Sequence, residues 1–170
     1  MTQCIVGIDP GLRLTGYAVL ALPPEGAPPT RDPTLVEAGV FRLNTKGAPE
    51  ERLVQLAGDL GELLDDHQPV TMAVEQLYAH YAHPRTAVLM AHARGVILLQ
   101  AAQRSIPIAH VEATAVKRAV TGYGHATKQQ IQETVAALFG LPEPPSPPDV
   151  ADAMAIALTH GRRMCLDRAR

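Results

Sequence analysis

Short apolar runs and helix-period stripes alternate along this chain. Residues 4–9 and 15–20 form two apolar runs around a turn at Pro10-Gly11, and Leu35 to Leu43 forms a third. Together they predict a three-stranded antiparallel meander. Between residues 49 and 66, Leu53, Leu56, Leu60, Leu63 and Leu64 fall on one helical stripe, bounded by Asn44–Pro49 and by Pro69. Val70 to Val74 is a short, partly β-branched run that ends in Glu75. Pro84 then starts a long Ala- and Leu-rich helix through about Arg104. Ile106 to Val111 reads as a strand, and Pro107 within it favours a sheet edge. Helices are predicted at about 112–120 and 127–138, separated by Gly122-Tyr123-Gly124, and a last Ala-rich helix follows Pro147-Pro148. A meander followed by alternating strands and helices predicts an α/β sheet with mixed strand directions. The punctuation is Pro-rich loops at about 23–33 and 142–148, with a tail at about 162–170, and 170 residues suit one domain with its own core.

The pattern places acids where apolar elements end. Asp9 closes the first strand in the run Gly7-Ile8-Asp9-Pro10-Gly11, and Glu75 closes the fourth. A carboxylate in an apolar setting is costly unless something pairs with it, and a metal ion is one solution. The alternative for Asp9 is an Asp that merely opens a Pro-Gly turn. Asp149 and Asp152 are three apart and share a face of the last helix. Asp149 alone would serve as a first-turn acid, whereas Asp152 sits further into an apolar helix, where that explanation weakens.

These residues carry a resemblance. Gly7–Gly11 with Thr15-Gly16-Tyr17, then Val74-Glu75-Gln76, then Asp149 to Ala157 resemble the RuvC family of bacterial Holliday-junction resolvases. Ala93-Arg94-Gly95-Val96, Val116-Lys117 and the stretch Gly122–Lys128 extend the likeness in family order over nearly the whole chain. The resemblance implies a ribonuclease H-like fold, a five-stranded mixed sheet flanked by helices, and a homodimer that nicks two opposed strands of a four-way DNA junction. Asp9, Glu75, Asp149 and Asp152 match the family's catalytic acids, although some members carry His where Asp149 stands. Lys117 and Lys128 match lysines that approach the scissile phosphates, and Tyr78 matches the aromatic that inserts at the junction centre. Against the best-known members the stretch from Tyr78 to Arg94 is one residue longer. Partners implied are the four-way junction, a second copy of the chain and a branch-migration helicase complex of the RuvA/RuvB type.

Chemistry agrees with those residue types. Phosphodiester cleavage needs an activated water, a stabilised leaving oxygen and charge neutralisation, which two divalent ions about 3.5–4 Å apart supply together. Mg2+ takes hard oxygen ligands, so converging carboxylates suit it, with Mn2+ as a substitute. Arg85, Arg94 and Arg118 are further candidate phosphate contacts, and Arg94 could equally serve within its helix or at a dimer contact. The rival site, His80, His83 and His92, lacks the closed spacing and Cys ligands of a zinc site.

Composition narrows the rest. The net charge of −2 and pI near 6.4 argue against coating nucleic acid through bulk charge, leaving local basic patches. Two distant cysteines build no disulfide framework, and no apolar stretch reaches a membrane span, so the cytoplasm is expected. Two other function classes fit part of the pattern. Asp-Pro-Gly followed by Thr-Gly also resembles the phosphate hairpin of actin-like ATPases and sugar kinases, but those need two such domains. A junction-binding protein without cleavage is the other, and the intact acids argue against it.

Overall fold

The structure, a computed structural model, describes residues 2–11, 13–77 and 84–169. Five strands, β1 (Cys4–Asp9), β2 (Leu14–Ala21), β3 (Thr34–Arg42), β4 (Thr71–Glu75) and β5 (Ile108–Val111), form one sheet in the order β3-β2-β1-β4-β5. The first three pair antiparallel as a meander, whereas β4 and β5 add parallel to β1. β5 is the edge strand that Pro107 favours. Pro107 stays just outside the strand, and its carbonyl accepts from the Met72 N–H (2.9 Å) and the Thr71 hydroxyl (3.1 Å).

Helix α1 (Pro49–His67) and helix α2 (Pro84–Gln103) cover one face, and α3 (Ala113–Thr121), α4 (Lys128–Phe139) and α5 (Pro148–Arg168) the other. Strand alternation assigns the sides. Val6 and Ile8 of β1, with Met72 and Val74 of β4, pack toward the α1 leucines Leu56, Leu60, Leu63 and Leu64. Ile5 and Ala73 pack instead with Ala153, Met154 and Ala157 of α5. Counting on by twos, Asp9 and Glu75 emerge on the α5 face at the sheet's C-terminal end.

The expectation of a tail from about residue 162 is corrected. α5 runs on to Arg168, because Cys165 is buried in the core and the Arg162 guanidinium pairs with both oxygens of Asp32 at 2.6 and 2.7 Å. Among the described residues no helix is long and apolar enough to cross a membrane.

Candidate active site

Two glycines bring α5 down onto the strand ends. A Cβ at Gly7 would stand 2.6 Å from both the Ala153 carbonyl oxygen and the Ala157 nitrogen, and one at Gly16 would overlap the Asp149 carbonyl. Gly16 is the register partner of Asp9. The bare backbone therefore lets the first turns of α5 lie directly over the end of β1. The turn after Asp9 is closed by Thr15, whose buried hydroxyl donates to the Gly11 carbonyl (3.1 Å) and accepts from the Gly11 N–H (3.4 Å).

Asp9, Glu75, Lys117, Lys128 and Asp152 consequently line one cavity of about 230 Å³, floored by Val116, Ile131 and Ile156. Asp149 faces the neighbouring groove, yet its charge still bears on Asp9, Asp152 and Lys128. Burial pushes the Asp9 carboxyl far above the usual carboxylate range, and the charges of Glu75 and Asp152 push it further. Glu75 is raised too, chiefly by burial, against the opposing pull of the neighbouring Asp9. Burial raises Asp152 too, although Lys128 Nζ stands 3.3 Å from its Oδ2 and opposes the shift. Lys128 itself loses to burial but gains more from Asp152, Asp9 and Asp149, so its pKa is raised.

Lys128 is thus paired with Asp152, while Asp9 and Glu75 crowd one another. As they stand, no three His, Cys, Asp or Glu groups among the described residues are gathered closely enough to hold a metal. The donor set nevertheless fits a hard divalent cation. It consists of carboxylate oxygens only, and the burial and mutual repulsion that raise Asp9 are what a cation would relieve.

The other sequence candidates divide. Arg94 turns inward: its Nε donates to the Glu75 carbonyl (3.3 Å) and an Nη donates to His110 Nδ1 (2.6 Å). It braces the end of β4. Arg118 is exposed, with its guanidinium against the Gly124 turn. Arg85 is exposed in the first turn of α2. Tyr78, His80 and His83 lie outside the described residues. Gly7 and Thr15 escaped sequence reasoning as site residues, since a close helix approach and a turn clamp are non-local.

Comparison with known proteins follows this geometry. The family model "Crossover junction endodeoxyribonuclease RuvC" matches residues 5–160. A RuvC of Rhodopirellula baltica is 48% identical over 158 residues, spanning 92% of this chain and 84% of that one. One of Leifsonia xyli is 41% identical, spanning 96% and 76%. The Thermus thermophilus RuvC structure superposes with a TM-score of 0.83 at 30% identity, covering 97% of each chain. The T. thermophilus RuvC in complex with a Holliday junction substrate gives 0.84 at 29% identity, covering 98% and 97%.

Proposed function

Because the chain belongs to the RuvC family of crossover junction endodeoxyribonucleases, we propose that it is a magnesium-dependent, homodimeric nuclease that resolves four-way DNA junctions by paired symmetric nicks. The observation that carries this reading is the single cavity into which β1, β4 and α5 deliver Asp9, Glu75 and Asp152, with Lys117 and Lys128 on its wall.

Asp9, Glu75 and Asp152, with Asp149 beside them, would hold the metal, Mg2+ or Mn2+ and two ions in number. When bound, such ions supply an activated water and neutralise the charge of the scissile phosphate. The chain's own residues do the rest. Two strand ends and a helix hold the carboxylates on rigid elements, which suits metal spacing. Arg94 fixes the Glu75 main chain. Lys117 and Lys128 place positive charge where negative charge grows on the phosphate oxygens in the transition state. Asp152, now paired with Lys128, would be shared with a bound cation, and Lys128 would then be available to a phosphate oxygen.

A two-fold dimer matches a two-fold substrate, since each subunit then presents one site to one of two opposed strands. Exposed Val88 and Leu99 on α2 support that assembly. Tyr78, tethered three residues after Glu75, is proposed to stack at the junction centre, and Arg85 and Arg118 to touch phosphates. A helicase complex of the RuvA/RuvB type is the proposed further partner. The free thiols Cys4 and Cys165 suit a reducing cytoplasm.

The test is cleavage of a labelled synthetic four-way junction, with and without magnesium, beside linear duplex. Wild type should make two symmetric cuts only with the metal, and Asp9→Asn should bind but not cut. Cleavage by Asp9→Asn, or equal cleavage of linear duplex, overturns the reading.

A further inference from the structure

A second concavity opens beside the catalytic cavity. It holds about 640 Å³ and is lined by Gly11, Arg13 and Leu14 at the start of β2, by Arg42, Leu43 and Thr45 at the end of β3, by α2, and by Asp149. The topology explains why it lies there. β1 and β3 run the same way, with β2 antiparallel between them, so Arg42 ends β3 at the sheet edge where Asp9 ends β1. The N-terminal turns of α5 divide the two hollows: Asp152 faces the catalytic cavity and Asp149, one turn earlier, faces the groove.

The groove's walls are fixed and its cations are free. The Arg13 carbonyl accepts from the Leu43 N–H at 2.9 Å, and the Arg42 carbonyl accepts from Gln55 Nε2 at 2.9 Å. Both side chains are exposed, and among the described residues neither has a carboxylate within ion-pair distance. The arginines that do pair with an acid among the described residues, Arg104 with Asp65 and Arg162 with Asp32, are each held in a two-pronged pair. Thr45 and Thr86 add hydroxyls to the wall.

We infer that this groove carries the sugar–phosphate backbone of the DNA arm adjoining the cut, with Arg13 and Arg42 on its phosphates. The inference rests on the nuclease reading above and extends it by giving the strand a direction away from the cavity, past Asp149 and toward β3. Phosphate contacts of this kind position a duplex without reading its sequence. Guanidinium forks match phosphate oxygens in geometry as well as in charge. An anion running past Asp149 is tolerated only alongside those two cations, and their placement on the far side of Asp149 supplies that balance.

The experiment measures affinity for a synthetic four-way junction across a salt series, in chelator so that no cutting occurs, for wild type, Arg13→Ala/Arg42→Ala and Arg13→Lys/Arg42→Lys. Each lost phosphate contact removes about 0.9 from the slope of log affinity against log salt. The double Ala variant should therefore lose about 1.8 of slope and bind on the order of tenfold more weakly near physiological salt, equally for junctions of different sequence. The double Lys variant keeps the charge and should keep the slope. Thr45→Glu, which adds a negative wall, should also weaken binding. A double Ala variant with wild-type slope and affinity overturns the inference, as does a loss that depends on junction sequence. Wild type that neither binds nor, with magnesium, cuts the junction overturns the nuclease reading instead.

Discussion

Gly16 of β2 and Asp149 of α5 touch backbone to backbone, with no room for a single methyl group between them. That contact, one position from the buried clamp residue Thr15 and opposite Asp9 in register, sets how far α5 descends onto the strand ends. Gly16→Ala must lift the helix or bend the strand. Overpacking of this kind costs about 1–3 kcal/mol. The larger effect should fall on chemistry, because a displacement of about 1 Å can cost on the order of 10²-fold in rate. Thermal melting and single-turnover cleavage on the same preparation check both, and a stable variant with the wild-type rate would show that α5 does not position the acids.

Magnesium should stabilise the folded wild type through its crowded carboxylates. A ligand that binds only the folded state raises stability with its concentration. Asp9→Asn removes one ligand together with a buried acid whose ionisation the neighbours oppose. The variant should melt higher than wild type in chelator and gain less from added magnesium. Melting curves with and without the metal decide this. An Asn variant that is less stable in chelator and stabilised as strongly by magnesium would show that Asp9 is a structural hydrogen-bonding group.

Much of this architecture is legible in the chain, for local reasons. The α1 leucine stripe, the Pro-bounded helices and the acids at two strand ends each follow from a period or a punctuating residue. The resemblance of the Gly7–Gly11 and Asp149–Ala157 segments marks the catalytic end. What stayed hidden depends on contacts between distant segments. Nothing near Arg94 in sequence announces that its guanidinium would reach the Glu75 carbonyl and His110, and its helix position fits a phosphate contact equally well. Gly7 reads as a strand glycine until α5 is seen to press on it. The extension of α5 past residue 162 rests on a pairing of Arg162 with Asp32, 130 positions away.

Lys117→Ala and Lys128→Ala should each lower cleavage by on the order of 10²–10³-fold, as loss of a group aimed at transition-state charge does. Junction affinity should change far less. Lys128 carries a second role as the partner of Asp152, so Lys128→Ala should also alter the magnesium concentration needed for half-maximal cleavage, and Lys117→Ala should not. Rate at saturating enzyme, measured across a magnesium series, separates the two. Loss of affinity alone in both variants would move these lysines out of the active site.

His160 makes the fold sensitive to mild acid. Burial and the nearby Arg163 hold its pKa below the ordinary value, and its Nε2 lies 3.3 Å from the Thr71 hydroxyl. The unfolded chain takes up a proton near pH 6.5, whereas the folded ring resists until lower pH. The stabilisation is therefore complete above the unfolded value and is lost as pH falls through the lowered folded one. The raised Asp9 carboxyl acts the other way over the same interval, so the informative comparison is between wild type and His160→Gln. Between about pH 7.5 and about pH 5.5 the melting temperature of wild type should fall relative to that of the variant. An unchanged difference between the two would remove His160 from the acid response.

The proposed dimer would rest on one face of α2. Ala93, Ile97 and Ala101 are buried on the core side of that helix. On the opposite side Val88 is 55% exposed and Leu99 53%, and these eleven-apart positions share a stripe with exposed Gly95. Among the described residues nothing stands within 4 Å of where a Gly95 Cβ would be, so the stripe is both apolar and open to close approach by another helix. A second copy of α2 is the occupant that two-fold symmetry offers. Leu99→Asp, placed on this face and away from the acids, should leave the fold intact but shift the protein from dimer to monomer at micromolar concentration in sedimentation. The monomer should nick junctions singly, and the coupling that places two opposed cuts within one bound complex should vanish. On a supercoiled cruciform plasmid this appears as nicked circles in place of linear product. If Leu99→Asp remains a dimer and still linearises the plasmid, the subunits meet through another face.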